Sequence, residues 1–93
     1  MRIVYDDEAL DDLQRICTRI VKDNPTAAVR LVSAIFDKVE RLATPEVIHM
    51  GRPGLDPGTR ELLQEPYIIV YEVHESSERI VVLSVVHGAQ DRT

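Results

Sequence analysis

Apolar positions change their spacing along the 93-residue chain, and each spacing predicts a different element. The segment Arg2–Tyr5 is apolar and partly β-branched, which predicts a short strand. The next apolar side chains recur at steps of three and four, which predicts one stripe on a helix of about four turns. The inward positions are Leu10, Leu13, Ile16, Cys17, Ile20 and Val21, and the polar face holds Asp11, Asp12, Gln14, Arg15, Thr18 and Arg19. Asp6 and Asp7 are predicted to cap this helix with a side-chain oxygen.

A second helix is predicted to start at Asn24-Pro25. Asn is a favoured capping residue, and proline at the first helical position loses no hydrogen bond. The stripe runs to about Ala43, where Thr44-Pro45 ends it because the residue before proline avoids helical angles. Its inward positions are Ala28, Leu31, Val32, Ile35, Phe36, Val39 and Leu42. The connection between the two stripes is short, so the helices are predicted to form an antiparallel hairpin.

After Pro45 the helical spacing is lost. Residues 46–58 have no period and predict a loop, while residues 59–64 predict a strand. Tyr67–His74 and Arg79–His87 predict two more strands, joined as an antiparallel hairpin by a short polar connector. The last strand is apolar on both faces apart from Ser84, which predicts either a central strand or one that a partner covers. The order β-α-α-β-β-β predicts a single α+β domain over residues 1–93, with the helical hairpin on one face of a small antiparallel sheet.

Composition and charge narrow the functional classes. One cysteine cannot form an internal disulfide, and no Cys/His spacing suggests a metal site. With neither a signal-peptide pattern nor an apolar run of about 18 residues, we expect a cytoplasmic protein without metal or cofactor that does not enter a membrane. The net charge is −5, yet residues 13–44 carry six basic groups against three acids. The acidic C-terminal half counts against direct nucleic-acid binding, which requires cations on the working face.

Three of the four glycines lie in residues 51–58. Gly51, Gly54 and Gly58 are predicted to form turns, and the prolines between them stiffen the loop. Arg52 lies within this stretch and Arg60 follows it, and both are predicted to contact a target protein. Arginine is favoured at interfaces, and a rigid loop loses little entropy on binding. The alternative is that the segment is only a corner between helix and sheet.

Taken together, these motifs resemble the ParE branch of the RelE/ParE superfamily of toxins from bacterial type II toxin–antitoxin modules. The likeness covers residues 4–90. The matching positions are Ala9, Asp12, Leu13 and Ile16; Asp23-Asn24-Pro25 with Ala28 and Leu31; Gly51-Arg52-Pro53-Gly54; Gly58-Thr59-Arg60-Glu61-Leu62; Pro66-Tyr67-Ile68-Ile69-Val70-Tyr71; and Val86-His87-Gly88-Ala89-Gln90. The resemblance implies a RelE/ParE-like fold and a plasmid-stabilisation toxin, held in a hetero-oligomer by a ParD-like antitoxin. It implies DNA gyrase as the target of ParE-like members, and ribosome-dependent mRNA cleavage by RelE-like members.

RNA cleavage without a metal needs a base, an acid and a cation around one phosphate. RelE-like members are expected to place an arginine after the first tyrosine of the strand that here begins at Tyr67, and this chain has Ile68 there. The lysines expected in the loop between helices and sheet are also missing. The remaining candidates are His87 as acid or base, Arg60 as phosphate ligand and Tyr71 as hydrogen-bond donor. Each has a structural alternative: a strand-end histidine, an ion-paired arginine and a core tyrosine.

An antitoxin tail is predicted to bind in a groove between the helical hairpin and the sheet. The basic surplus of residues 13–44 fits an acidic tail, so Arg15, Arg19 and Arg30 are predicted antitoxin contacts that mainly raise the association rate. Three functions stay open: a gyrase-binding toxin, an mRNA endonuclease, and a degenerate toxin that only binds its antitoxin. Ile68 and the lysine-poor loop favour the first and the third.

Overall fold

The computed structural model describes residues 1–44 and 51–88. Its elements are β1 Arg2–Tyr5, α1 Asp7–Val21, α2 Pro25–Arg41, β2 Arg52–Pro53, β3 Arg60–Gln64, β4 Tyr67–His74 and β5 Arg79–His87. The α+β class is confirmed, and β1, β4 and β5 have their predicted bounds. Pro45, residues 46–50 of the predicted loop, and Ala89-Gln90 of the last matching motif lie outside the described residues.

The five strands form one sheet in the order β1-β5-β4-β3-β2. Neighbouring strands from β2 to β5 run antiparallel, as predicted. The first strand differs, because β1 pairs in parallel with β5, from Arg2 opposite Arg79 to Tyr5 opposite Val82. A parallel neighbour requires a crossover connection, and the chain between β1 and β5 supplies it. The sheet is therefore mixed, and β5 lies in its interior, which is the first of the two alternatives that its apolar faces predicted.

The loop predicted over residues 46–58 contains one short strand. Arg52 pairs with Glu61, and Pro53 pairs with Arg60, which makes β2 an edge strand beside β3. A strand of two residues cannot show a period of two, so the apolar pattern could not reveal it.

Both helices pack on one face of the sheet, as predicted. The buried cluster between the layers consists of Ala9, Leu13, Ile16, Ile35, Val39, Leu42, Leu62, Tyr67, Ile69, Tyr71, Ile80, Val82 and Val85. Asn24 caps α2 as predicted, since its side-chain oxygen accepts a hydrogen bond from the Ala27 amide at 3.0 Å. The predicted cap of α1 is wrong in part: Asp6 holds the capping position, but its side chain makes no capping hydrogen bond.

The buried stripe of α1 is rotated from its predicted position. Leu10 and Val21 were predicted to point inward, but they are 47% and 42% exposed. Asp12 was predicted on the polar face, but it is only 7% exposed and shares the buried side with Ala9 and Leu13. The prediction failed because it treated a carboxylate as a surface group, whereas this one has partners inside the protein.

Asp12 connects α1 to the middle of the sheet. Its Oδ2 accepts a hydrogen bond from the Val85 amide at 2.9 Å, and its Oδ1 accepts one from the Arg15 guanidinium. The register of β1 ends where Tyr5 faces Val82, so β1 does not extend beside Val85. The carboxylate supplies an acceptor for a β5 amide beyond the end of the neighbouring strand, and this explains why a charge is buried there.

Phe36 is another departure from the predicted core. It is 37% exposed, and its ring packs edge-on against Tyr5, with centroids 5.3 Å apart. Burial, together with the charge of Glu40, raises the pKa of Tyr5 to about 12. The Tyr5 hydroxyl therefore ionises less readily than that of an exposed tyrosine.

Replacing Asp12 by alanine tests this link. Asp12→Ala leaves the buried Val85 amide without its acceptor, and such a loss costs about 1–3 kcal/mol. We expect the free energy of unfolding, measured in urea, to fall by about 2 kcal/mol. Asp11→Ala is the matched control, because Asp11 is exposed in the same turn, and its effect should stay below about 0.5 kcal/mol. Equal losses in the two variants would contradict the link.

Candidate functional site

A cleft of about 370 Å³ separates α1 from the end of β5. Its lining residues are Asp12, Arg15, Ile16, Arg19, Tyr67, Val85, Val86 and His87. The cleft contains two of the three arginines predicted to contact an antitoxin. The third, Arg30, is exposed on α2 and does not line the cleft.

The two cleft arginines differ in their local charge. Arg15 lies beside the carboxylate of Asp12, although its side chain is 72% exposed. Arg19 makes no ion pair within residues 1–44 and 51–88, and it is exposed. Both arginines also line a shallow depression of about 380 Å³ on the outer face of α1, together with Gln14, Thr18 and Lys22. The C-terminal half of α1 therefore presents Arg15, Arg19 and Lys22 as one cationic face, and its two arginines reach into the cleft.

His87 lies at the end of β5, opposite Tyr67 of β4. The two rings meet edge-to-face, with centroids 5.3 Å apart and planes at 79°. The imidazole is partly buried and packs as one wall of the α1 cleft. This environment fits the structural alternative for a strand-end histidine.

Tyr71 and Arg60 face each other across β3 and β4 and hold the same residue in place. Tyr71 is fully buried, and its hydroxyl accepts a hydrogen bond from the Gly51 amide at 3.3 Å. The Arg60 guanidinium donates to the Gly51 carbonyl. Two of the three candidate catalytic side chains thus bind the backbone at the start of the glycine-rich loop.

The structure does not bring the three candidates together. His87 lies opposite Tyr67, and Arg60 lies opposite Tyr71, four residues further along β4. At about 3.3 Å per residue, these two positions are about 13 Å apart. Ile68, which stands where RelE-like members are expected to have an arginine, is 4% exposed.

The glycine-rich loop is a tightly packed corner. A Cβ on Gly51 would lie 2.4 Å from the Glu61 carbonyl oxygen and 2.8 Å from the Tyr71 hydroxyl. Gly58 has a φ of +82°, which favours glycine. Arg52 leaves the corner with its side chain 63% exposed, and its Nε donates to the buried Glu61 carboxylate at 3.1 Å. Arg52 is thus available to a partner while its inner end is held in place.

A third cleft, of about 320 Å³, runs between α2 and the outer edge of β3. Its lining residues are Lys38, Arg41, Gly51, Arg52, Glu61, Leu62 and Leu63. Lys38 crosses it, since its ammonium donates to the Leu63 carbonyl at 2.6 Å. Sequence reasoning missed this cleft, because the spacing of residues in α2 does not reveal which strand lies beside them.

Within residues 1–44 and 51–88, no three His, Cys, Asp or Glu side chains lie close enough together to hold a metal ion. None of the helices there has the length and apolar content that a membrane crossing requires.

The sequence matches a known protein family over nearly its whole length. The family model described as "ParE toxin of type II toxin-antitoxin system, parDE" matches residues 3–92. The chain belongs to the ParE toxin family. This family member is 41% identical over 91 residues to a protein of Sinorhizobium fredii (strain NBRC 101917 / NGR234) named "Putative toxin Y4kP", covering 96% of this chain and 90% of that one.

Solved structures agree with the family assignment. The chromosomal ParDE toxin–antitoxin system of P. aeruginosa contains a chain that superposes on this ParE family member with a TM-score of 0.82 and 27% identity, covering 94% and 95% of the two chains. The intact E. coli RelBE toxin–antitoxin complex gives a TM-score of 0.65 at 17% identity, covering 97% and 98%, which shows the shared fold. The protein is therefore a type II toxin of the ParE/RelE superfamily, as its motifs implied.

The corner can be tested with two glycine variants. Gly51→Ala places a methyl group against backbone, so we expect the free energy of unfolding to fall by about 2–3 kcal/mol. The Cβ that Gly58→Ala adds has no atom within 4 Å. This substitution therefore costs only the strain of the positive φ, about 1 kcal/mol. Urea denaturation of both variants gives the comparison. A Gly51→Ala variant that is as stable as Gly58→Ala would show that the corner is not closely packed.

Proposed function

We propose that this toxin acts by binding and inhibiting DNA gyrase, without cleaving RNA, and that a ParD-like antitoxin neutralises it in a hetero-oligomer. The observation that carries the proposal is the separation of His87 from Tyr71 and Arg60 by about 13 Å along β4. An acid, a base and a cation that act on one phosphate must all lie within hydrogen-bond reach of it. Tyr71 and Arg60 are also bonded to the Gly51 backbone.

The corner that these residues support is suited to binding another protein. Arg52 projects from it, and Leu55 a few residues on is 64% exposed. Arginine is enriched among the residues that dominate the energy of binding interfaces, and an exposed apolar side chain gains free energy when a partner covers it. Because the corner is already held on both sides of Gly51, it loses little entropy on binding. We therefore assign Arg52 and Leu55 to the target contact, with Arg60 supporting the corner from within.

Induction of the toxin alone in cells separates the three functions. Gyrase inhibition predicts filamentation with an SOS response, since stalled replication damages DNA. Rapid loss of translation with cut mRNA would favour a RelE-like endonuclease, and normal growth would favour a degenerate toxin. Each of these two results would overturn the proposal.

Two substitutions test which residues the inhibition of gyrase depends on. Leu55→Ser removes an exposed apolar contact, and we expect it to weaken inhibition of gyrase supercoiling by about tenfold, which corresponds to the burial of one leucine side chain. His87→Ala should leave this inhibition in place, whereas an endonuclease that uses the imidazole would lose its activity. A toxin that depends on His87 and tolerates Leu55→Ser would contradict the proposal.

The antitoxin contact is assigned to the α1 cleft. The P. aeruginosa and E. coli relatives are toxin–antitoxin systems by name, and the cationic face of α1 fits an acidic tail. Arg19 contributes a charge without an ion pair within the described residues, whereas Arg15 is partly neutralised by Asp12. We place Arg15 and Arg19 in this contact and leave Arg30 at its periphery.

Charge reversal tests this contact. Arg19→Glu should lower the association rate with the co-encoded antitoxin by about tenfold at low salt, since steering depends on local charge. Arg30→Glu makes the same charge change on α2 and serves as the matched control, with a smaller effect. Surface plasmon resonance at two salt concentrations measures both rates. Equal rates for the two variants would place the acidic tail elsewhere.

A further inference from the structure

The side of α2 that lies away from the core carries a continuous row of exposed residues. The core side of this helix holds its buried residues, Ala28, Ile35 and Val39. The row on the opposite side consists of Val29, Arg30, Ser33, Phe36 and Asp37, all of them exposed. Positions three and four apart are neighbours on a helix surface, so these five side chains form one surface. We call it the outer face of α2.

One flank of the outer face of α2 is apolar. Val29 is 66% exposed and Phe36 is 37% exposed, and their separation of seven positions places them on the same side of the helix. The Phe36 ring is already held edge-on by Tyr5, with centroids 5.3 Å apart. A partner that covers this flank therefore gains the burial of two apolar side chains and orders one that is largely fixed beforehand.

The other flank carries two opposite charges that are not used inside the protein. Arg30 and Asp37 are also seven positions apart, about 10 Å along the helix axis, which is too far for them to pair with each other. Neither makes an ion pair within residues 1–44 and 51–88. Ser33 lies between the two flanks, and its small side chain lets another helix approach closely.

This pattern is complementary to itself when the helix is reversed. A two-fold axis at right angles to α2, passing midway between Arg30 and Asp37, brings Arg30 of each copy beside Asp37 of the other. The same rotation keeps the apolar flanks together, so Val29 of each copy meets Phe36 of the other. A parallel arrangement would instead place Arg30 against Arg30. The pattern therefore fits an antiparallel second copy of the same helix.

We propose that the outer face of α2 is a self-association surface, through which two copies of the chain form a two-fold symmetric dimer. Arg30 and Asp37 form two equivalent ion pairs between the copies, and Val29 and Phe36 form the apolar contact beside them. The next turn adds Glu40 and Arg41, one charge of each sign, so the copies meet at an uncharged surface although each chain has a net charge of −5. This dimer does not depend on how the toxin acts on its target.

Sedimentation equilibrium of the purified chain, free of antitoxin, tests the dimer. A contact between two helices of 17 residues is small, so we expect a reversible dimer with a dissociation constant in the micromolar range. The mean mass should rise with concentration toward twice the 10.5 kDa of one chain. A chain that remains monomeric up to high micromolar concentration would refute the proposal.

A charge exchange tests the geometry. Arg30→Asp and Asp37→Arg each place like charges at both equivalent contacts, and each should weaken the dimer by about tenfold or more. The double variant restores both pairs with their signs exchanged, and its dissociation constant should lie within about threefold of that of the parent chain. Circular dichroism confirms that all three variants fold. If the double variant associates no better than either single variant, the two residues do not face each other and the antiparallel dimer is wrong.

The apolar flank has a matched control elsewhere on the surface. Val29→Ser should weaken the dimer by about tenfold, which corresponds to the loss of one buried valine side chain in each copy. Leu55→Ser changes a side chain of similar exposure, 64%, outside this surface and should leave the dimer unchanged. Equal weakening by both variants would contradict the assignment.

The antitoxin is the rival occupant of this surface. If the parent chain is monomeric and Val29→Ser weakens binding of the co-encoded antitoxin, then the antitoxin covers α2 and the dimer proposal fails. The gyrase proposal is tested apart from this one, because Leu55→Ser is expected to weaken gyrase inhibition while the dimer persists. A chain that dimerises as described but does not inhibit gyrase would leave the dimer supported and the proposed function refuted.

Discussion

The arrangement of helices on the sheet depends on one buried carboxylate. Asp12 accepts a hydrogen bond from the Val85 amide just past the point where β1 stops running beside β5. A free amide inside the protein would be unfavourable, and so would a lone carboxylate, but each satisfies the other, with Arg15 balancing the charge. The contact fixes the rotation of α1 about its axis. That rotation turns Arg15 toward the cleft and exposes Leu10 and Val21.

At the corner around Gly51, polar side chains again serve as structural supports, as Asp12 does between α1 and β5. Tyr71 and Arg60 are residue types that phosphate chemistry employs, yet here they hold one glycine by its amide and its carbonyl. The close packing around Gly51 explains why no side chain is found there. What the corner presents to a partner is Arg52, anchored by Glu61. Residue type alone left both catalysis and structural support open, and in the structure both side chains bond to the Gly51 backbone.

Local charge, more than total charge, describes the binding surfaces of this protein. The chain is acidic overall, but the α1 cleft and the β3 cleft are both lined by cations. Salt at physiological strength screens charges beyond about 8 Å, so a docking segment senses mainly the residues that line its cleft. The chain can therefore be acidic as a whole and still present local cationic surfaces.

The sequence by itself determined the helical hairpin, the cap at Asn24, the strands β1, β4 and β5, and, through its motifs, the ParE family. Those features depend on neighbours along the chain, whose spacing can be read directly. The sequence also grouped Arg15, Arg19 and Arg30 as basic residues, of which only Arg15 and Arg19 line the same cleft. Only the tertiary structure decided that β1 runs parallel to β5, that Asp12 is buried, that His87 lies far from Tyr71, and that Lys38 reaches Leu63. These features depend on contacts between residues far apart in the chain, from Tyr67 and His87 in neighbouring strands to Arg2 and Arg79 near the two ends. No local period encodes such contacts, because they arise from strand register and from the rotation of a helix over the sheet.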